Sequence, residues 1–276
     1  MTVSDVLRSR ATTSGSATVL IEPRERPLQQ WWALVGRGIS QVIRGGEAIF
    51  AFISPAMLAI CFYLPLRSIV EVAPGVNYGQ FLMPIILLQS VNFCASSAAM
   101  RSAFDGVQGI NTRFRVMPMS PLVPMLARTT TNAFLLTISL ICAATACLLI
   151  DWRPGGGFWG TVGLFGLAGL VGALFSWVAD GLGLVAGSPE ATSQALALPT
   201  LILGMMSTGF VPLSQFPEWI QPFVRNQPIS QFADAMRAFD TGTATWALLR
   251  PSLLWCLGLA ATALVLLAIS VRRTRR

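Results

Sequence analysis

The chain has 276 residues, of which 54% are hydrophobic and only 11% charged, with a formal net charge of +7; that balance excludes an ordinary soluble domain. Every basic residue is arginine. With no lysine and no histidine, a Walker A phosphate loop, HExxH zinc sites, Ser-His-Asp triads and histidine proton relays are all excluded.

The first 26 residues are polar, Ser/Thr-bearing and aperiodic, and are expected to be a disordered cytoplasmic tail without the basic-then-apolar layout of a signal peptide. From Pro27 to Arg44 the pattern becomes helical. At 100° per residue Leu28, Trp31, Trp32, Val35, Ile39, Val42 and Ile43 share one face, and Gln30, Arg37, Gln41 and Arg44 the opposite one. Paired tryptophans beside arginines describe a helix lying in the headgroup plane. The alternative is a solvent-exposed helix packed on another domain.

Six apolar runs then approach the ~20 residues needed to cross a bilayer: Ala48–Val70, Phe81–Met100, Leu122–Ile150, Phe158–Val185, Ala191–Val211 and Pro251–Val271. The five cysteines (Cys61, Cys94, Cys142, Cys147, Cys256) fall inside these runs without CxxC spacing, as small hydrophobes do. The second run carries Gln89, Ser90, Asn92, Ser96 and Ser97, too polar for a helix that faces only lipid. Asn92 is expected to hydrogen-bond a neighbouring helix; the alternative is that Gln89 and Asn92 line a substrate path.

Between the second and third runs, Phe104, Val107, Ile110 and Phe114 recur at spacings of three and four, with Asp105, Gln108, Asn111 and Arg115 away from them. The pattern predicts a short amphipathic helix under the membrane. It would either insert its apolar face into a cytoplasmic partner or merely connect two spans. In the fourth run Gly160, Gly163, Gly166, Gly169 and Gly172 recur every third residue, a track that allows close helix approach, with a sliding role as the alternative.

The segment before the last run is the most distinctive. Pro212, Pro217, Pro222 and Pro228 forbid a continuous helix, yet Phe216, Trp219, Ile220 and Phe223 make the stretch more apolar than a solvated loop. Short helices and turns at or dipping into the interface are expected, against the plainer alternative of a Pro-rich outer loop.

Fourteen arginines fall on the side that holds the N-terminus, the loop after the second span and the C-terminal tail, against five (Arg67, Arg153, Arg225, Arg237, Arg250) on the other. The positive-inside rule then puts both termini in the cytoplasm of a multi-pass plasma-membrane protein. Charge distributed in this way follows topology and implies no nucleic-acid partner. Carboxylates are absent from mid-membrane, with Glu47, Asp180 and Glu190 expected at span ends near water. This disfavours an ion-coupled secondary carrier or channel, although backbone carbonyls can also bind sodium.

This all-α order resembles the type-2 ABC exporter permeases: an interfacial helix, six spans, an amphipathic inner loop and re-entrant outer helices. Arg113-Phe114-Arg115-Val116-Met117-Pro118-Met119-Ser120-Pro121-Leu122 is similar to the inner-loop "PMSP" signature of the daunorubicin-resistance (DrrB-type) permeases. Phe223-Val224-Arg225-Asn226-Gln227-Pro228-Ile229-Ser230, after Phe216-Pro217-Glu218-Trp219-Ile220, resembles the outer signature of mycobacterial members. The resemblance runs from about Gln30 to Val271 and makes residues 27–276 one transmembrane domain.

The resemblance implies a permease that exports an amphiphile and is powered by a separate ABC ATPase, which carries the ATP and Mg. No cofactor is expected on this chain. Roughly Arg101 to Arg115 matches the coupling element, with Arg101, Phe104, Asp105, Val107, Ile110, Arg113, Phe114 and Arg115 as candidate ATPase contacts. The interfacial helix with Trp31, Trp32, Arg37 and Arg44 assists docking. Pro212 to Asp240, including Pro212, Phe216, Pro217, Trp219, Pro222, Asn226 and Pro228, matches the re-entrant segment capping the exit. Mycobacterial relatives are associated with envelope-lipid export and others with drug efflux. A second permease, identical or homologous, is expected to complete the unit in membrane lipid. An integral-membrane enzyme is the remaining rival, and the absence of histidine and scarcity of inner carboxylates argue against it.

Overall fold

In a computed structural model of the chain, the structure describes residues 27–70, 78–117, 119–120 and 122–275. The expected N-terminal tail, and Pro118 and Pro121 of the inner signature, lie outside them. The described residues are helical, without a strand. The order is α1 (Pro27–Arg44), α2 (Glu47–Val70), α3 (Tyr78–Val107), α4 (Ile110–Val116), α5 (Leu122–Leu149), α6 (Gly157–Ala186), α7 (Pro189–Met205), a 3-10 turn (Leu213–Gln215), α8 (Gln221–Asn226), α9 (Pro228–Asp240) and α10 (Trp246–Arg275).

Helix α3 is the hub, packed against α2, α5, α6, α7 and α9. Leu82, Ile85, Ile86 and Val91 of α3 are buried with Leu135 of α5, Leu164 and Val171 of α6, and Phe232 and Met236 of α9. By contrast α2 and α10 flank the bundle and leave most of their apolar side chains uncovered. Among the described residues five helices are long and apolar enough to cross a membrane: Glu47–Pro65, Tyr78–Val107, Leu122–Leu149, Gly157–Ala186 and Trp246–Ser270. Such all-round hydrophobicity belongs in lipid, and the protein is membrane-embedded.

Three expectations are corrected. The fifth predicted run, Ala191–Val211, forms only the 17-residue α7, which ends at Met205. At 1.5 Å per residue it is shorter than a bilayer core, and Met206–Gly209 beyond it are non-helical. The helix expected over Phe104–Phe114 is two pieces. Helix α3 continues to Val107, Gly109 takes φ 66°, and α4 starts afresh at Ile110. Glycine tolerates that left-handed turn and most residues do not. Asp180, expected near water, is half-buried with its carboxylate held by Ser102 and Asn132, six residues before α6 ends at Ala186. There Gly187 (φ 76°) terminates the helix and Ser188 caps α7, its Oγ accepting from the Ala191 amide, with Pro189 in the first turn.

The glycine track is a packing device at three of its five positions. A Cβ on Gly160 would strike the Phe239 carbonyl oxygen, one on Gly163 would lie 2.5 Å from two Phe239 ring carbons, and one on Gly172 would lie 2.7 Å from Leu136. Gly166 and Gly169 face open space. The C-terminus of α9 therefore lies directly on the α6 backbone.

Candidate functional site

Two polar centres lie at opposite ends of the bundle. At the arginine-rich end, a cavity of about 60 Å³ opens between α1, α3, α5 and α6. Helix α1 lines it with Leu34, Arg37, Gly38 and Gln41. Val35 and Val42 are buried, and Gly38 lets Thr131 of α5 approach closely. Arg37 of α1 and Arg128 of α5 donate to the two oxygens of Asp105, at 3.4 and 3.1 Å. One turn earlier on α3, Arg101 pairs with Glu47 of α2 and donates to Asn132 Oδ1 at 2.7 Å. The amide of Asn132 in turn donates to Asp180 of α6 at 3.0 Å, and Ser102 donates to the same carboxylate.

The network joins five helices, and its ion-paired side chains are only 12–24% exposed, Arg37 excepted. Ion pairs held this far from water are costly to break on one side.

The candidate ATPase contacts therefore divide. Arg101 and Asp105 turn into the bundle, and Phe114 lines the cavity. Phe104, Val107, Val116 and Met117 are exposed around the α3–α4 break, Arg113 is exposed beside them, and Ile110 is half-buried. The Arg115 side chain lies outside the described residues. On α1, Trp31 and Trp32 meet edge to face at 4.9 Å, Trp32 is exposed, and Arg44 is exposed in the last turn. Leu28 and Ile43 are exposed as well, so three of the seven residues of the predicted apolar face are left uncovered.

At the far end α9 is driven into the bundle, with Phe232, Ala233, Ala235 and Met236 fully buried. Its last residue, Asp240, accepts from Trp152 Nε1 at 3.1 Å and from Gln80 Nε2 at 2.6 Å. Burial pushes the Asp240 carboxyl above the usual carboxylate range, and those hydrogen bonds pull it back. One turn earlier the Arg237 guanidinium lies 4.1 Å over the Phe81 ring and donates to the Thr208 and Gly209 carbonyls at 2.8 and 3.2 Å. Burial works against its charge, and Asp234, 3.0 Å away, supports it.

The remaining outer residues are looser. Pro212, Pro217, Trp219, Pro222 and Asn226 are exposed, and Phe216 and Pro228 are partly covered. Asn226 is fixed by its carbonyl, which accepts from Trp255 Nε1 at 3.2 Å. Sequence reading passed over Gln80, Trp152, Arg237 and Asp240. A buried acid beside a tryptophan in the fold is separated from it by 88 positions in the chain, so local periodicity carried no signal for the pair. Gln89 and Asn92 are half-buried on α3 and make no side-chain hydrogen bond among the described residues, contrary to the expectation for Asn92.

Residues 62–271 match the family described as ABC-2 family transporter protein. The chain belongs to that family. The doxorubicin resistance ABC transporter permease protein DrrB of Mycobacterium tuberculosis is 36% identical over 265 residues, covering 90% of each chain. The probable doxorubicin resistance permease protein DrrC of the same organism is 23% identical over 82% of this chain and 81% of its own. The daunorubicin resistance permease protein DrrB1 of Streptomyces coeruleorubidus is 29% identical over 61% of this chain and 59% of its own. These ABC-2 relatives are permeases, the membrane components of transporters, and the match spans α3 to α10, with the outer polar centre and the α3, α5 and α6 residues of the inner one inside it.

Proposed function

We propose that the chain is the membrane subunit of an ABC exporter that moves a hydrophobic amphiphile outward, powered by a separate ATP-binding subunit. The observation that carries this reading, given the family, is the uncovered apolar rim of Phe104, Val107, Val116 and Met117 at the α3–α4 break. Apolar anchors on a protruding turn suit insertion into a partner's groove, and here they sit on the face where arginines concentrate. That face is read as cytoplasmic, with both termini on it, and ATP and Mg are held by the partner.

Helix α1 then lies in the headgroup plane, with Leu28, Trp32 and Ile43 in lipid. Helix α7 with Met206–Gly209 completes a sixth crossing, and α8–α9 form the re-entrant cap. Exposed Trp159, Trp219 and Trp246 at the far end support that level for the outer interface. Gln89 and Asn92, polar and without a side-chain hydrogen bond among the described residues, line the path. Similarity to both DrrB and DrrC supports a pair of like permeases, identical or homologous. The names of the relatives favour a drug-like cargo, and an apolar envelope lipid shares the same amphiphilic chemistry.

Reconstitution in vesicles tests the reading. Outward movement of a fluorescent anthracycline or a labelled lipid is expected only with the cognate ATPase and ATP. Movement driven by an ion gradient without the ATPase would replace this reading with a secondary carrier.

A further inference from the structure

The outer signature contains Gln227 and Ser230, to which the exporter reading gives no task. Gln227 is the N-cap of α9, and Ser230, Asp234 and Arg237 follow on the helix at spacings of four and three, so these three side chains share one face. That face meets the non-helical residues after α7. Gln227 Nε2 donates to the Met206 carbonyl and to Ser230 Oγ, 3.1 Å away. Ser230 Oγ accepts from the Thr208 amide at 3.0 Å. Asp234 accepts from Thr208 Oγ1 at 3.1 Å, and Arg237 takes the Thr208 and Gly209 carbonyls. Gln227 and Ser230 are buried, as are Ser207 and Thr208.

Ser207, Thr208 and Gly209 are buried, and unwound backbone that is buried must have its polar groups satisfied within the protein. Helix α7 also has little else to hold it: Pro189, Thr192 and Gly204 are its only buried residues, and Leu198, Leu201, Ile202 and Met205 are exposed. We propose that Gln227, Ser230, Asp234 and Arg237 are positioning residues that clamp Met206–Gly209, so that α7 and α9 move as one body. The role in transport rests on the exporter reading; the clamp itself does not.

The test uses the full chain with its native cysteines replaced and Ser207→Cys as a small buried reporter. A membrane-impermeant maleimide added outside is expected to label it at least ten-fold faster in the Gln227→Leu/Ser230→Ala pair than in the parent. With the ATPase present, transport per ATP hydrolysed is expected to fall at least five-fold while co-purification of the two subunits is unchanged. Ser230→Ala alone and Arg237→Lys, which retains the Asp234 pair, serve as milder variants and should give intermediate labelling rates. Unchanged labelling across the variants overturns the clamp, with or without an active exporter. Faster labelling with undiminished transport per ATP overturns its part in the cycle.

Discussion

The contact between α9 and the glycine track makes a graded prediction. Alanine at Gly160 would place a methyl group against the Phe239 carbonyl oxygen, and at Gly163 it would place one 2.5 Å from two Phe239 ring carbons. At Gly166 it would meet nothing within 4 Å. All three are in α6, so each substitution gains about 1 kcal/mol of helix propensity at most. Overpacking a tight contact costs about 1–3 kcal/mol. Backbone cannot step aside as a ring can, so the Gly160 penalty belongs at the upper end.

Gly160→Ala is therefore expected to lose roughly 1–2 kcal/mol net, or about 3–6 °C in unfolding midpoint for a chain of this size. Gly163→Ala should lose less, because Phe239 can rotate, and Gly166→Ala should be neutral or slightly stabilising. Thermal unfolding of the detergent-purified protein, followed by fluorescence-detected size exclusion, measures all three. Equal midpoints for Gly160→Ala and Gly166→Ala would show that α9 does not rest on α6 as described.

Phe104→Asp, at a position 46% exposed, should insert and fold normally yet lose ATPase association in a pull-down and abolish export. Retained association would remove the α3–α4 rim as the docking element. Arg101→Met should instead lower the unfolding midpoint, by about 2–3 kcal/mol of stability, because Glu47 and Asn132 are left unmatched in a half-dry site. A stable Arg101→Met that has only lost the ATPase would return this residue to the docking surface. Asn92→Leu should leave stability within about 0.5 kcal/mol, since the side chain makes no hydrogen bond among the described residues, and should change the transport rate; an unaltered rate excludes Asn92 from the path. At Trp219, which is 80% exposed, a single cysteine should label from outside only, and labelling from the inner face alone would reverse the assigned orientation.

Much of this architecture was legible from local pattern. Apolar runs of membrane length, the 3.6-residue period of α1, the arginine asymmetry and the prolines from Pro212 to Pro228 each act within a few turns of chain. The physical causes, transfer into lipid and the missing proline amide, need no distant partner. The family signatures are likewise contiguous strings.

Tertiary structure decided what those local rules do not contain. Arg101 and Phe104 lie within one turn and look alike as candidates for docking, yet one faces Glu47 and the other open space. Only the placement of α2 and α5 around α3 separates them. Asp180 looked like a residue near water until Ser102 and Asn132, from two other helices, were found holding its carboxylate. Helix α7 ended six residues short of its apolar run, at Met205, because buried partners on α9 satisfy the freed backbone groups of Met206–Gly209. Hydrophobicity and propensity belong to a residue and its near neighbours, whereas a hydrogen bond or ion pair belongs to two residues that may be far apart in sequence, and only the packed bundle brings them together.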